Sequence, residues 1–136
     1  MKSLKKFQNE HKFNARGRYH EYKGKQRYFA SSAEADRYIQ LVKLEKENKI
    51  TNLEIQPAYN VVVNNVRICQ YRADFRYFTL EDNNYRGYQV IEDVKGMITD
   101  MYKLKKKLVE ATEGIRIKAI PAKDLPKWVD TIPLNQ

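Results

Sequence analysis

The segment over residues 88–120 constrains the fold most, because its hydrophobic period changes twice. Residues 88–95 are rich in apolar and β-branched side chains, which is typical of a strand. Residues 99–112 then repeat apolar positions at helical spacing, and Gly114 ends that pattern. Residues 115–120 alternate apolar and basic side chains, as a half-buried strand does. A strand, helix and strand in succession form a crossover, so we expect two parallel strands with a helix packed on their sheet.

The elements that precede this unit are predicted from turn residues and periodicity. Short polar turns at Gly24 and at Asn64-Asn65 separate segments rich in aromatic and β-branched residues. In order, we expect a hairpin over 19–29, a helix from Ser31 to about Asn48, and two strands over 53–63 and 66–78. The predicted fold class is α/β, with a mixed sheet in the order α-β-β-β-α-β and helices flanking it.

The basic charge of the chain is concentrated at its N-terminus. The 136 residues carry a formal net charge of +9, and residues 1–27 hold nine Lys or Arg against two Glu. We expect one domain divided into a basic flexible arm over 1–18, a core over 19–120 and a proline-containing tail over 121–136. This distribution favours a nucleic-acid partner over a membrane surface. The predicted DNA contacts are Lys12, Arg16, Arg18, Lys23, Lys25, Arg27, Lys103 and Lys106.

Cys69 is the one cysteine of the sequence, which excludes an internal disulfide and a cysteine-based zinc site within one chain. No apolar run approaches the roughly 20 residues that a membrane-spanning helix needs. The N-terminus also lacks an apolar segment of the secretory type. We therefore expect a cytosolic protein.

Acidic and basic side chains come together in the predicted strand that ends at Lys95. The strand period of two places Asp93 and Lys95 on one face, with the carbonyl group of Val94 between them. Asp74 lies in a second alternating segment, on the face opposite its aromatic residues, and an antiparallel neighbour could bring it beside Asp93. Carboxylates with a nearby lysine suit Mg²⁺-assisted hydrolysis of a phosphodiester.

Three residues keep two interpretations each. Glu92 adjoins Asp93 on the opposite strand face, and a bulge could exchange their roles. Glu34 could complete a capping box with Ser31, or could point a carboxylate from the buried stripe of its helix toward a partner. Lys105 falls among the apolar residues of the second helix, where it could reach the site or cover apolar surface with its stem.

Two short runs, 71–75 and 91–96, resemble the catalytic hairpin of the PD-(D/E)-x-K nuclease superfamily. Residues 29–38 look like the helix that supplies an additional glutamate in the phage resolvase branch of that superfamily. The resemblance covers roughly residues 19–120 and implies a restriction-endonuclease-like core.

The resemblance also implies roles for particular residues. Asp74 and Asp93 would hold Mg²⁺, with the Val94 carbonyl group as a further ligand, and Glu34 would complete the metal site. Lys95 would serve the nucleophile. Mn²⁺ is expected to substitute for Mg²⁺, with no small-molecule cofactor besides the metal.

The function that the resemblance implies is a Mg²⁺-dependent endonuclease that cuts branched DNA, such as Holliday junctions, during phage replication or recombination. A homodimer in the cytosol of a bacterial host would suit symmetric cleavage of a four-way junction. Two alternatives stay open. One is a DNA-binding protein that keeps the nuclease fold without cleaving, and the other is an RNA-directed nuclease.

Overall fold

The computed structural model describes residues 17–80, 86–128 and 132–133. These residues form eight strands, two α-helices and a 3₁₀-helix. The strands are β1 (Arg18–Tyr22), β2 (Lys25–Phe29), β3 (Ile50–Ile55), β4 (Ala58–Val63), β5 (Val66–Arg72), β6 (Phe75–Leu80), β7 (Arg86–Lys95) and β8 (Ile117–Pro121). The helices are α1 (Ser32–Lys46), α2 (Asp100–Glu113) and the 3₁₀-helix Ala122–Trp128. Neither described α-helix has the length and apolar character that crossing a membrane requires.

A four-stranded mixed sheet in the order β3-β6-β7-β8 forms the centre of the described residues. β3, β6 and β7 are antiparallel neighbours, and β8 pairs with β7 in parallel. α2 makes the crossover between β7 and β8. The predicted α/β class with a mixed sheet and a parallel crossover is therefore confirmed.

The two faces of the sheet carry separate hydrophobic clusters, each covered by one helix. α1 buries Tyr38 and Leu41 with residues of β6 and β7 such as Tyr77 and Val90. α2 buries Val109 with residues of β5, β7 and β8, namely Tyr71, Ile91 and Ile117. Because neighbouring residues of a strand point to opposite faces, β7 contributes alternately to the two clusters. The same alternation aims its polar residues at different neighbours.

The predicted long strands over 53–63 and 66–78 are wrong, because each is two strands. The first breaks at Gln56-Pro57, where Gln56 has a φ of 54° and Pro57 has no amide hydrogen to donate. The second breaks at Ala73-Asp74 directly opposite, where Gln56 N donates to Asp74 O and Ala73 N donates to Pro57 O. β4 and β5 lie between these two breaks in the chain and form a separate hairpin.

The break at 73–74 also changes which face the chain presents. The alternating residues Tyr71, Ala73, Phe75 and Tyr77 are all buried, as their pattern indicates. They do not share one face: the first two pack in the α2 cluster and the last two in the α1 cluster. Asp74 lies at the point where the chain passes from one cluster to the other.

The helix ends follow the expected capping chemistry. Ser31 caps α1 and Thr99 caps α2, each accepting a hydrogen bond from the amide three residues later. Gly114 closes α2 in the left-handed conformation, with a φ of 65°. α1 stops at Lys46 rather than at about Asn48, and Asn48 has a left-handed φ of 59°.

The sequence pattern predicts an apolar stripe of Met101, Leu104 and Leu108 on α2, and the prediction is wrong for the first two. Met101 and Leu104 are 61% and 55% exposed, whereas Val109 is fully buried and Tyr102 and Leu108 are half-buried. The helix is rotated so that positions 102, 106 and 109 face the sheet, and Lys106 is half-buried in consequence. Aromatic contact between Tyr102 and Tyr71 fixes this orientation.

The hairpin predicted over 19–29 is confirmed as β1 and β2, turning at Lys23-Gly24. Part of the predicted tail packs onto the body, since Leu125 is buried and its carbonyl group accepts a hydrogen bond from Gln40 Nε2 at 3.4 Å. Lys12 and Arg16 of the predicted arm lie outside the described residues.

Candidate active site

Two acidic residues, the half-buried Asp74 and the buried Asp93, meet where the pairing of β6 with β7 ends. The pair of residues at this end is Phe75 and Glu92, and Asp74 directly precedes Phe75, at the strand break. The Asp74 amide donates to Glu92 O at 3.0 Å and to Asp93 Oδ1 at 3.1 Å. In return, the Val94 amide donates to Asp74 Oδ2 at 2.7 Å. Each carboxylate is thus fixed by the main chain that carries the other.

The electrostatic setting of this acid pair disfavours two uncompensated negative charges. Burial raises the pKa of Asp74 from 3.8 to about 6, against the opposing effects of the Val94 amide and the Lys95 ammonium group. Burial also raises the pKa of Asp93 to about 6, although Lys95, the Asp74 amide and Lys106 act in the other direction. A cation placed between the carboxylates would remove the cost of ionising them.

Lys95 approaches the acid pair from the end of β7. Its charge lowers the pKa of Asp74, of Asp93 and of Glu34, so its ammonium group lies near all three carboxylates. Lys95 Nζ also lies 4.3 Å from the centroid of the Tyr102 ring, a cation–π distance. The predicted proximity of Asp93 to Lys95 on one strand face therefore agrees with the structure.

Glu34 serves the helix cap with its main chain and faces the acid pair with its side chain. Its amide donates to Ser31 Oγ at 3.1 Å, which is the capping interaction. Burial and the charge of Asp74 raise the pKa of Glu34 from 4.5 to about 7, while Lys95 opposes this shift. The cap uses only the Glu34 amide, so it does not decide between the two interpretations, both of which concern the carboxylate.

Glu92 points away from the acid pair, into the α1 side of the sheet. Arg37 Nε and Nη2 donate to its two carboxylate oxygens at 2.7 Å each, and the Tyr77 hydroxyl also donates to it. Both Arg37 and Glu92 are fully buried. Their pairing uses the Glu92 carboxylate, so strand parity chose correctly between Glu92 and Asp93 as the neighbour of Asp74. Arg37 itself was missed, because an arginine inside a helical pattern gives no sign of burial.

The chemistry of this donor set fits a divalent cation. Asp93 Oδ2 is buried and has no hydrogen-bond partner among the described residues. Within that same part of the chain, no three side chains of Asp, Glu, His or Cys are grouped to hold a metal ion. The fit therefore rests on two carboxylates with open positions around them, which suits Mg²⁺ because it keeps several waters. The roles of the Val94 carbonyl group and of Glu34 as further ligands stay predictions.

Basic residues of α2, of β8 and of the loop between them line a groove, and one of them, Lys106, acts on the charge of Asp93. The helical pattern predicts that Lys106 points outward, and this is wrong: the residue is half-buried, and its charge acts on Asp93. Lys106, Arg116 and Lys118 line an open groove of ≈ 590 Å³ along β8. Glu110 also lines it, and its carboxylate accepts a hydrogen bond from Ile117 N at 2.8 Å. Lys103 is exposed and Lys105 half-buried, so neither interpretation of Lys105 is decided.

The described basic residues of the N-terminal hairpin divide into two kinds. Arg18 pairs with Asp36 and donates to Ser32 O at 2.9 Å, so its guanidinium group holds β1 against α1. Lys23 and Lys25 are exposed at the turn, and Arg27 is half-buried. Lys23 and Lys25 are therefore available for the predicted nucleic-acid contacts.

The sequence was also compared with known proteins. Residues 10–119 match the family described as "Protein of unknown function (DUF1064)". The chain belongs to this family. Neither the curated proteins nor the solved structures gave a match.

The DUF1064 region contains the whole candidate site. Glu34, Asp74, Asp93 and Lys95 lie inside residues 10–119, as do α1, α2 and the strands between them. The region ends within β8, so the 3₁₀-helix that packs on α1 lies beyond it.

Proposed function

We propose that this DUF1064 protein is a Mg²⁺-dependent DNA endonuclease of the PD-(D/E)-x-K type. The observation that carries the proposal is the pairing of Asp74 with Asp93, each held by the other's main chain, beside Lys95. A buried acid pair of this kind is unfavourable without a cation, and an adjacent lysine adds the positive charge that phosphodiester cleavage uses.

The order of elements gives independent support. α1, β3, β6, β7, α2 and β8 follow the order α-β-β-β-α-β that the restriction-endonuclease-like core has, with the β4–β5 hairpin inserted between β3 and β6. Asp93 comes from β7, Asp74 from the break directly before the neighbouring strand β6, and Glu34 from the first helix of this core. These are the places that the resemblance assigns to the catalytic residues.

The residues of the site divide the chemistry among them. Bound Mg²⁺ would supply an activated water and neutralise charge on the phosphate. Asp74 and Asp93 would hold the ion, and Glu34 would add a carboxylate from α1. Lys95 would orient the attacking water and stabilise the negative charge that develops on the phosphate oxygens. Burial of the pair keeps the local dielectric low, which strengthens each of these interactions.

The groove lined by Lys106, Arg116 and Lys118 would carry the DNA backbone past the acid pair. Three basic side chains with a single acid, which is already hydrogen-bonded, match a run of phosphates. Branched DNA as the substrate and a homodimer as the active form follow from the resemblance and belong to the proposal.

Cleavage of defined substrates tests the proposal. Labelled four-way junction, flap and linear duplex DNA, with matched RNA, would be incubated with the protein in Mg²⁺, Mn²⁺ or EDTA. We expect cutting of branched DNA with either metal, none in EDTA, and a loss of at least about 100-fold for Asp74→Asn, Asp93→Asn and Lys95→Met. Glu113→Gln, an exposed substitution at the end of α2, should cut normally.

Two results would replace the proposal with one of its alternatives. If nothing is cut while junction DNA is bound, the chain is a DNA-binding protein on a nuclease fold. If matched RNA is cut in preference to DNA, the protein is an RNA-directed nuclease.

A further inference from the structure

Tyr102 on α2 lies between the acid pair and the α2 cluster. Its ring contacts that of Tyr71, with centroids 6.4 Å apart, and Lys95 Nζ lies 4.3 Å from its centroid. The ring thus packs against Tyr71 of the β4–β5 hairpin and also contacts the Lys95 ammonium group. The position of the Lys95 ammonium group depends on where this ring stands.

The Tyr102 hydroxyl is buried and has no hydrogen-bond partner among the described residues, and the same is true of Asp93 Oδ2. The two groups are neighbours. Burial and the charge of Asp93 raise the pKa of Tyr102, and the phenol in turn lowers that of Asp93. Leaving a buried polar group without a partner costs about 1–3 kcal/mol. The phenol acts on Asp93 as a hydrogen-bond donor, so each of these two neighbouring groups is the natural partner of the other.

We infer that Tyr102 is a positioning residue of the cation site, orienting the Asp93 carboxylate with its hydroxyl and holding Lys95 with its ring. Carboxylates that bind a metal ion are themselves held by hydrogen bonds, and the side chains that hold them tune the affinity for the ion. This inference rests on the proposed function for the identity of the cation. It adds α2 to the elements that build the site.

Two substitutions separate the hydroxyl from the ring. Tyr102→Phe removes the hydroxyl alone, and Tyr102→Leu removes both groups. Titration calorimetry with Mn²⁺, on the full chain without DNA, measures the cation site directly. We expect Tyr102→Phe to weaken Mn²⁺ binding about 10–100-fold. Tyr102→Leu should weaken it equally, and should lower the cleavage rate about 10-fold more than Tyr102→Phe, because Lys95 loses its support.

Tyr71→Phe is the matched control, because the Tyr71 hydroxyl is also buried without a partner among the described residues. Its Mn²⁺ affinity should be unchanged, and thermal melting would verify that all three variants fold. The inference is overturned if Tyr102→Phe binds Mn²⁺ as the unaltered protein does, or if Tyr71→Phe loses as much affinity.

The same experiment distinguishes this inference from the proposed function. If the protein cleaves DNA and its Mn²⁺ affinity does not depend on Tyr102, the inference is rejected and the nuclease proposal stands. Mn²⁺ binding that depends on Tyr102, without cleavage of any substrate, would reject the nuclease and leave the site. A protein that binds no Mn²⁺ would reject both.

Discussion

At the scale of single residues, the acid pair is held in place at a cost to the folded state. Asp74 and Asp93 accept main-chain hydrogen bonds, yet burial raises the pKa of each to about 6. Ionisation therefore stabilises the unfolded chain more than the folded one. Because the cation would bind the folded state and compensate the two carboxylates, its binding should raise the free energy of unfolding.

The pH dependence of stability should reveal this cost. Because the pKa of Asp93 is raised from 3.8 to about 6 on folding, the folded state binds more protons between these values, and the contribution of Asp93 to stability is lost as pH rises through that window. Urea unfolding in EDTA should show Asp93→Asn gaining stability relative to the unaltered protein between about pH 4 and pH 7. A difference that is flat or falls with pH would contradict the raised pKa.

Arg37 and Glu92 should behave as a buried ion pair. Arg37→Met or Glu92→Leu leaves an unpaired buried charge, so each should lower the free energy of unfolding by about 3–5 kcal/mol. The double variant should lose less than the sum of the two. Denaturant melts measure all three, with Lys49→Met of the exposed Lys49–Glu47 pair as the control at about 0–1 kcal/mol. Single losses as small as the control would contradict the assignment.

These residues also show how far sequence reasoning reaches. Strand parity is a local property, so it separated Asp93 from Glu92 correctly. The partner of Glu92 lies 55 residues away on α1, and the sequence has no local signal for such a contact. Tyr102 was missed for the same reason, because its contacts with Tyr71 and Lys95 depend on how α2 packs.

At the scale of elements, the strand break at Asp74 creates the site. The prediction of single strands over 53–63 and 66–78 missed this break. Pro57 marks the first interruption locally, but the interruption at Ala73-Asp74 depends on a tertiary contact with residues 56–57, which the sequence does not show. α2 illustrates the same limit. Its caps at Thr99 and Gly114 were predictable from local chemistry, whereas its rotation about the helix axis was not.

The observed rotation of α2 predicts unequal effects of two substitutions on that helix. Val109→Ala removes buried methyl groups and should cost about 1–3 kcal/mol of unfolding free energy. Leu104→Ala, at a position that is 55% exposed, should stay within about 0.5 kcal/mol. Denaturant melts of both variants test the rotation, and a larger loss at Leu104 than at Val109 would restore the orientation expected from the sequence.

At the scale of the whole molecule, basic charge is concentrated in residues 1–27 of the sequence and in a groove along β8. The basic excess of residues 1–27 was visible in the sequence, as was the α/β class with its parallel crossover. The groove along β8 was not, because Lys106 and Arg116 come together only when α2 packs beside β8. Charge composition thus indicates a polyanionic partner without saying where it binds.

The groove should contribute to the salt dependence of DNA binding. Removing two phosphate contacts with Arg116→Gln and Lys118→Gln should reduce the slope of log affinity against log salt by about 2. Fluorescence anisotropy on duplex DNA in EDTA measures this without cleavage. The control is Lys43→Gln with Lys46→Gln, an equal loss of charge on exposed positions of α1. Equal slopes for the two double variants would contradict a path along the groove.

The central claim is that Asp74 and Asp93 together hold a divalent cation. A crystal soaked in Mn²⁺ and measured at the manganese absorption edge tests it most directly. We predict an anomalous peak between the two carboxylates, which disappears in crystals of Asp74→Asn. If the acid pair is accessible in the crystal and shows no peak, whether or not manganese binds elsewhere on the protein, the claim is contradicted.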